Sequence, residues 1–139
     1  MPDKVLVHNI ARPVHEVYPY FCNMEQFVSI HPVIFKCDLL TANCYRLHER
    51  LKIPLIGFNF SYRAAIERAV EDTQVIMFAE IRKGITLRLV FDFTDTGNHT
   101  MITETITFNG PFFIKPVFIP FLAKTHQRMM GNINNLKRN

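Results

Sequence analysis

The chain has 139 residues, 48% of them hydrophobic, with 13 Phe and no Trp, which suits one domain with one core over residues 1–139. The formal net charge is +4, but basic residues alternate with acids, as in His48-Glu49-Arg50, so we expect no nucleic-acid partner. No apolar run approaches the roughly 18 residues of a membrane span. The six His are scattered and the three Cys form no CxxC pair, so we expect no metal site. The sequence also implies no tightly bound cofactor.

The start of the chain and its cysteines predict a cellular compartment. The first ten residues, MPDKVLVHNI, carry an acid and a lysine and lack the long apolar region of a signal peptide. Cys22, Cys37 and Cys44 are an odd number, which is typical of reduced thiols. We therefore expect a cytoplasmic protein.

The first elements are a predicted strand over residues 3–10 and a short helix. Pro13 suits the first turn of that helix, because the N–H that it lacks would be unpaired there. Pro19 shortens or kinks the helix. The residues at helical spacing are Val14, Val17, Tyr18 and Phe21.

A second short helix is predicted from Met24 to about Ile30. Asn23 followed by Gln26 resembles a capping box at its start, and His31-Pro32 ends it, because the residue before proline avoids the helical region. From Val33 the hydrophobic period changes to two, and short turns separate the segments. This predicts six strands in an antiparallel meander, over residues 33–41, 44–52, 56–70, 74–82, 85–94 and 100–108.

The last segment predicts one long C-terminal helix. It starts near Pro116 or Pro120 and cannot run undisturbed through both. One stripe of this helix is apolar apart from a histidine, and consists of Phe118, Leu122, His126, Met129, Ile133 and Leu136.

The strand over residues 44–52 places a carboxylate on its buried face. Tyr45, Leu47, Glu49 and Leu51 share one face, and the other face is charged. A buried acid among apolar neighbours needs a partner or a polar cavity. We interpret this face as part of a partly polar internal cavity.

Loop parity extends this argument to neighbouring strands. An even loop after residue 53 places Glu49 opposite Phe60 or Phe58, with Tyr62 about one pair away. A four-residue loop over 95–98 likewise turns Glu104 inward. The strand over 74–82 is apolar on both faces, so whether Glu80 points inward stays open.

This order of elements, β-α-α-β-β-β-β-β-β-α, resembles the helix-grip fold of the START-like (SRPBCC) superfamily, which includes the birch pollen allergen, the polyketide cyclase/dehydrase group and the coenzyme Q-binding proteins. Residues 10–13 followed by Glu16-Val17 resemble the entry to its first helix, and Phe27 with His31-Pro32 resembles its second helix and exit. The resemblance covers nearly the whole chain. It implies an α+β fold in which a curved, antiparallel, seven-stranded sheet grips the long C-terminal helix.

The resemblance also implies an apolar cavity between sheet and helix, which in the family binds lipids, sterols, quinones, polyketides or plant hormones. His31 would lie at its mouth. The expected ligand-binding residues are Glu49, Tyr62, Glu104, His31, Phe58, Phe60, Phe91, Phe118, Leu122 and His126.

Each candidate also has a structural interpretation. Glu49 and Glu104 would be carboxylates paired within the fold, and Tyr62 and His126 would be core residues with satisfied polar atoms. His31 would bond the last carbonyls of its helix. The apolar candidates would fill the interior completely.

Three functions remain open. The first is binding of an apolar or aromatic small molecule of lipid, quinone or polyketide type. The second is an enzyme of the polyketide cyclase/dehydrase type, with Glu49 as catalytic general acid/base. The third is a lipid or quinone chaperone in peripheral contact with a membrane, whose anionic lipid would meet the basic tail of Lys137 and Arg138.

Overall fold

The structure, a computed structural model, describes residues 2–53 and 56–136, and for residues 51–53 and 56–58 it describes the backbone alone. The predicted ligand contact of Phe58 therefore lies outside the described side chains. The elements in chain order are β1 Lys4–Ile10, α1 Val14–Val17, α2 Pro19–Cys22, α3 Met24–Ile30, β2 Ile34–Thr41, β3 Cys44–Ile53, β4 Ile56–Val70, β5 Gln74–Arg82, β6 Ile85–Asp95, β7 Thr100–Asn109 and α4 Lys115–Asn134.

The strands form one antiparallel, seven-stranded sheet in the order β1-β7-β6-β5-β4-β3-β2. Strands β2 to β7 follow one another as the predicted meander, and β1 joins its far edge beside β7. Register shifts interrupt the pairing between Ile66 and Arg68 and between Glu80 and Arg82, and such bulges bend a sheet. The predicted fold class, a curved sheet with a long C-terminal helix, is confirmed.

The short helices follow the predicted signals closely. The first predicted helix is divided at Tyr18, where α2 begins with Pro19. The Asn23 side chain accepts a hydrogen bond from the Gln26 amide at 3.2 Å and so caps α3. These helices close one side of the core through buried residues such as Phe21.

Helix α4 runs past both prolines. It begins at Lys115, so Pro116 lies in the first turn and Pro120 lies inside the helix. Pro120 has no N–H for the carbonyl of Pro116, a local loss that the helix tolerates on its exposed side. Buried Ile119 and Leu122 hold this turn against the sheet.

The predicted registers place both carboxylates inward. Glu49 pairs with Phe60 across β3 and β4, as the even loop requires. The β6–β7 loop covers residues 96–99, one position later than predicted, but its even length keeps Glu104 opposite Phe91 on the buried face. Strand β5 buries Val75, Met77 and Ala79, so Glu80 points outward and is exposed.

Candidate functional site

A small cavity lies between the inner face of the sheet and helix α4. Its volume is about 50 Å³. The wall is mostly apolar, and four polar side chains also reach it, from four different parts of the chain: His31 after α3, Glu49 on β3, Tyr62 on β4 and His126 on α4. Apolar wall residues include Phe27, Leu47, Met77, Leu89, Phe118 and Leu122.

The size of this cavity limits what fits without movement. A buried water needs about 10 to 15 Å³ by the same measure, so the cavity has room for a few waters. Sites for drug-sized ligands occupy about 300 Å³ or more. A ligand of that size therefore enters only if wall side chains, such as Phe118 and Leu122 on α4, move apart.

Behind the cavity, Glu104 on β7 joins two histidines in a buried chain of hydrogen bonds. His8 on β1 donates from Nε2 to Glu104 Oε1 at 3.0 Å, and His126 on α4 donates from Nδ1 to Glu104 Oε2. All three side chains are almost completely buried. Burial alone would raise the pKa of Glu104, but the charge of His126 and the hydrogen bonds from both histidines lower that pKa to about 2. Glu104 is therefore an ionised carboxylate at neutral pH.

This chain of hydrogen bonds orients His126. Because Nδ1 carries the proton that Glu104 accepts, Nε2 is the nitrogen left for the cavity. The His126 ring is also held by Phe91 at 6.3 Å and His31 at 6.0 Å between ring centroids. A histidine fixed in this way presents one defined nitrogen to a bound molecule.

Glu49 has the opposite environment. Burial raises the pKa of Glu49 to about 7, and the charge of His126 and a hydrogen bond with Tyr62 offset only part of this rise. Burial and the neighbouring Glu49 raise the pKa of Tyr62 well above 10, so its hydroxyl remains protonated. At neutral pH, Glu49 can therefore either donate or accept a proton, while Tyr62 donates.

His31 is held as a neutral ring. Its Nδ1 accepts hydrogen bonds from the amides of Val33 at 3.2 Å and Ile34 at 3.0 Å. Burial and His126 lower the pKa of His31 to about 3. The proton of the neutral ring is therefore on Nε2. The ring therefore bonds amides at the start of β2. The structural interpretation, in which the ring bonds the last carbonyls of α3, is wrong.

The structure brings most of the predicted ligand-binding residues to this one cavity: Glu49, Tyr62, His31, Phe118, Leu122 and His126. Glu104 lies one layer behind, in contact with His126. Phe91 is completely buried among the aromatic rings of the core and does not line the cavity. Phe60 stacks on Tyr62 with 5.8 Å between ring centroids, so it supports the wall from the side.

Sequence reasoning missed His8, the second partner of Glu104. One signal was available, because His8 alternates with Leu6 and Ile10 and so belongs to the buried face of β1. Its partner could not be read in the same way, since 96 positions separate the two residues. Within the described residues, no group of His, Cys, Asp or Glu is arranged to hold a metal ion, and no helix there is long and apolar enough to cross a bilayer.

Comparison with known proteins identifies the fold. No family model and no curated protein sequence matches the chain. Among solved structures, a conserved protein from Geobacillus kaustophilus superposes with a TM-score of 0.75 at 12% identity, over 92% of this chain and 90% of that one. Ara h 8.0201 gives 0.71 at 8% identity, over 94% and 95%.

A third similar structure is the di-domain ARO/CYC protein StfQ from the steffimycin biosynthetic pathway. Its TM-score is 0.69 at 11% identity, over 94% of this chain and 49% of that one. This chain therefore has the helix-grip fold. In this fold the sheet curves around the long C-terminal helix, which here is α4. The cavity lies where the sheet and α4 are not in close contact.

Proposed function

We propose that the protein binds an apolar or aromatic small molecule in the cavity between the sheet and α4. The observation that supports this most strongly is the convergence of His31, Glu49, Tyr62 and His126 on one otherwise apolar cavity. A few polar groups on an apolar wall are the usual composition of a ligand site.

The polar groups indicate what the ligand carries. Tyr62 and His31 Nε2 are donors, and Glu49 with a pKa of about 7 donates or accepts. Oxygen functions such as a carbonyl or a hydroxyl match this set. A lipid, a quinone or a polyketide-like compound has an apolar body that suits the wall of the cavity, and one or two such oxygen groups that can contact the polar side chains.

The test is to fill the cavity by a substitution and to compare ligand binding by this variant with binding by a variant that has the same substitution outside the cavity. Ala64 lines the cavity, and its neighbour Ala65 lies on the other face of β4. We expect Ala64→Leu to weaken binding of the fluorescent probe 1-anilinonaphthalene-8-sulfonate by about tenfold or more, because the added methyl groups occupy the space that the probe needs. Ala65→Leu adds the same atoms and should leave binding unchanged.

Fluorescence titration measures both variants, and their melting temperatures show whether they fold. Equal binding by Ala64→Leu and wild type would place the probe elsewhere and contradict the proposal. The proposal is also contradicted if native mass spectrometry finds no compound co-purified with the wild type and no lipid, quinone or polyketide-like compound raises its melting temperature.

A second candidate function is an enzyme of the cyclase/dehydrase type. It is favoured by the pKa of Glu49, about 7, since a general acid/base works best near the ambient pH. Glu49→Gln keeps the shape of the side chain and removes the titrating proton. If the protein is an enzyme, this variant binds polyketide-like compounds normally but forms no product by mass spectrometry; equal product formation by variant and wild type rules out Glu49 as the catalyst.

A further inference from the structure

The segment that leads into α4 exposes large apolar side chains. Phe112 is 86% exposed, Phe113 67%, Val117 74% and Phe121 37%. We call these four residues the apolar ridge. Single exposed apolar residues are common on proteins, but four within ten positions form a patch of the kind that marks an interaction surface. The rings of Phe112 and Phe113 pack on each other at 5.8 Å, away from the core.

The exposed side of α4 changes from apolar to basic along its length. Val117, Phe121, Lys124 and Arg128 follow one another at spacings of three or four and therefore share one side of the helix. Lys124 and Arg128 reach a surface groove of about 420 Å³. We call it the basic groove; its lining is Pro32, Val33, Phe35, Arg50, Phe121, Lys124, Thr125 and Arg128.

The basic groove carries positive charge without compensation. None of its lining residues is acidic. Within the part of the chain that the structure describes, Arg50, Lys124 and Arg128 form no ion pair. The Arg50 guanidinium lies over the ring of half-exposed Phe35, at 4.8 Å from its centroid. The groove thus combines cations with aromatic surface.

The sheet topology places further positive charge near the ridge. In the antiparallel meander, the last residues of β3, the β5–β6 turn and the end of β7 lie at the same end of the sheet. Exposed Lys83 lies in the β5–β6 turn, at the end from which the chain enters the ridge. The acid Asp3 at this end is already paired with Lys115 at 2.7 Å.

We propose that the apolar ridge and the basic groove dock onto an anionic bilayer. The ridge would enter the boundary between headgroups and acyl chains, and Arg50, Lys124 and Arg128 would contact lipid phosphates. An apolar surface beside Lys and Arg is the composition of interfacial membrane-binding segments. A two-fold contact between copies through the groove would bring its three cations against the same three, which disfavours self-association there.

The proposed surface uses none of the residues of the C-terminal tail, 137–139, which lie outside the described part of the chain. The docking surface is also separate from the ligand cavity, although the two are adjacent. Phe121 borders both the groove and the cavity. Docking through this surface therefore turns the α4 side of the cavity toward the bilayer.

The experiment is cosedimentation of the full chain with vesicles. We expect binding to vesicles of phosphatidylcholine with phosphatidylglycerol, little binding to phosphatidylcholine alone, and weaker binding as salt rises. Lys124→Gln with Arg128→Gln should weaken partitioning by about 25-fold, because each basic residue near an anionic surface contributes about fivefold. Phe112→Ser with Phe113→Ser should weaken it by about tenfold or more, because the inserted apolar area is lost.

Matched controls come from the opposite end of β4, where Arg68 and Val70 are exposed. The double variant Arg68→Gln, Val70→Ser should bind like wild type. All these positions are exposed, so melting temperatures should not change, and the ridge variant should still bind the fluorescent probe in the cavity. The proposal is overturned if the wild type does not bind anionic vesicles, or if the control variant loses as much vesicle binding as the ridge and groove variants. If the wild type binds no vesicles but sediments as a dimer that dissociates on ridge substitution, the ridge is instead a contact with a second copy.

Discussion

Glu49 and Glu104 occupy comparable places in this protein and behave in opposite ways. Both lie on the inner face of the sheet, and both are removed from water, which raises a carboxyl pKa. Yet the pKa of Glu49 rises to about 7, and that of Glu104 falls to about 2. The difference lies in their partners. Glu104 accepts hydrogen bonds from two imidazoles, whereas Glu49 is hydrogen-bonded to the hydroxyl of Tyr62.

This contrast separates a structural carboxylate from a candidate functional one. Glu104 is fixed, ionised and inaccessible, and it acts on the cavity only by orienting His126. Glu49 lines the cavity and changes charge near neutral pH. Burial of an acid is therefore not enough to identify a site, because the donors that surround the acid decide its charge.

The largest effect should come from removing the fixed carboxylate. Glu104→Leu keeps the bulk of the side chain but leaves buried N–H groups of His8 and His126 without an acceptor. We expect the free energy of unfolding to fall by about 3 to 4 kcal/mol, as measured by urea denaturation at pH 7. Glu104→Gln should lose less, because an amide can bond both rings after one of them changes tautomer.

Glu80→Gln, an exposed acid on β5, is the control and should change stability very little. The wild-type pH dependence provides a second check. Because the pKa of Glu104 is lower in the folded state, about 2 against 4.5, its contribution is complete above pH 4.5 and is lost as the pH falls toward 2. A Glu104→Leu variant as stable as wild type at pH 7 would contradict the assigned role.

A smaller effect should follow from removing one of the two histidine partners. His8→Phe removes the donor to Glu104 Oε1 and leaves the His126 bond in place. We expect a loss of about 2 kcal/mol in the free energy of unfolding, because one hydrogen bond to a buried charge is removed. The pKa of Glu104, followed by carboxyl carbon NMR, should rise from its wild-type value. An unchanged pKa would mean that His126 alone sets the charge of Glu104.

The smallest effect should come from Glu49→Gln, and its sign should depend on pH. Because the folded pKa of Glu49 is raised from 4.5 to about 7, wild type loses stability as the pH rises through this window, and the loss is complete above it. Glutamine carries no charge. The variant should match wild type near pH 5 and exceed it by about 1 kcal/mol at pH 8.5, after allowing for partial exposure of Glu49.

Urea denaturation at the two pH values measures this difference. A variant that is equally or less stable than wild type at pH 8.5 would show that Glu49 is compensated in the fold as Glu104 is. The contrast between the two acids would then disappear.

The amino-acid sequence by itself determined the order of the elements and which faces of β3, β4, β6 and β7 point inward. Alternation along β3 placed Glu49 inward, an even loop limited its partner to Phe60 or Phe58, and a four-residue loop placed Glu104 on the inward face. The structure then showed the partners to be Phe60 for Glu49 and Phe91 for Glu104. The inward faces are local properties, because the side chains of a strand have a period of two and a short turn transmits that period to the next strand.

Only the tertiary structure decided which groups the two acids meet. Glu104 contacts His8, 96 positions away, because β1 joins the sheet beside β7. It contacts His126, 22 positions away, because α4 crosses the same face of the sheet. The cavity volume of about 50 Å³ depends on how side chains from several elements pack. Strand β5, apolar on both faces, took its phase from its neighbours, and so Glu80 turned outward. Pairings and packing of this kind depend on how distant segments close on each other, and no local pattern records them.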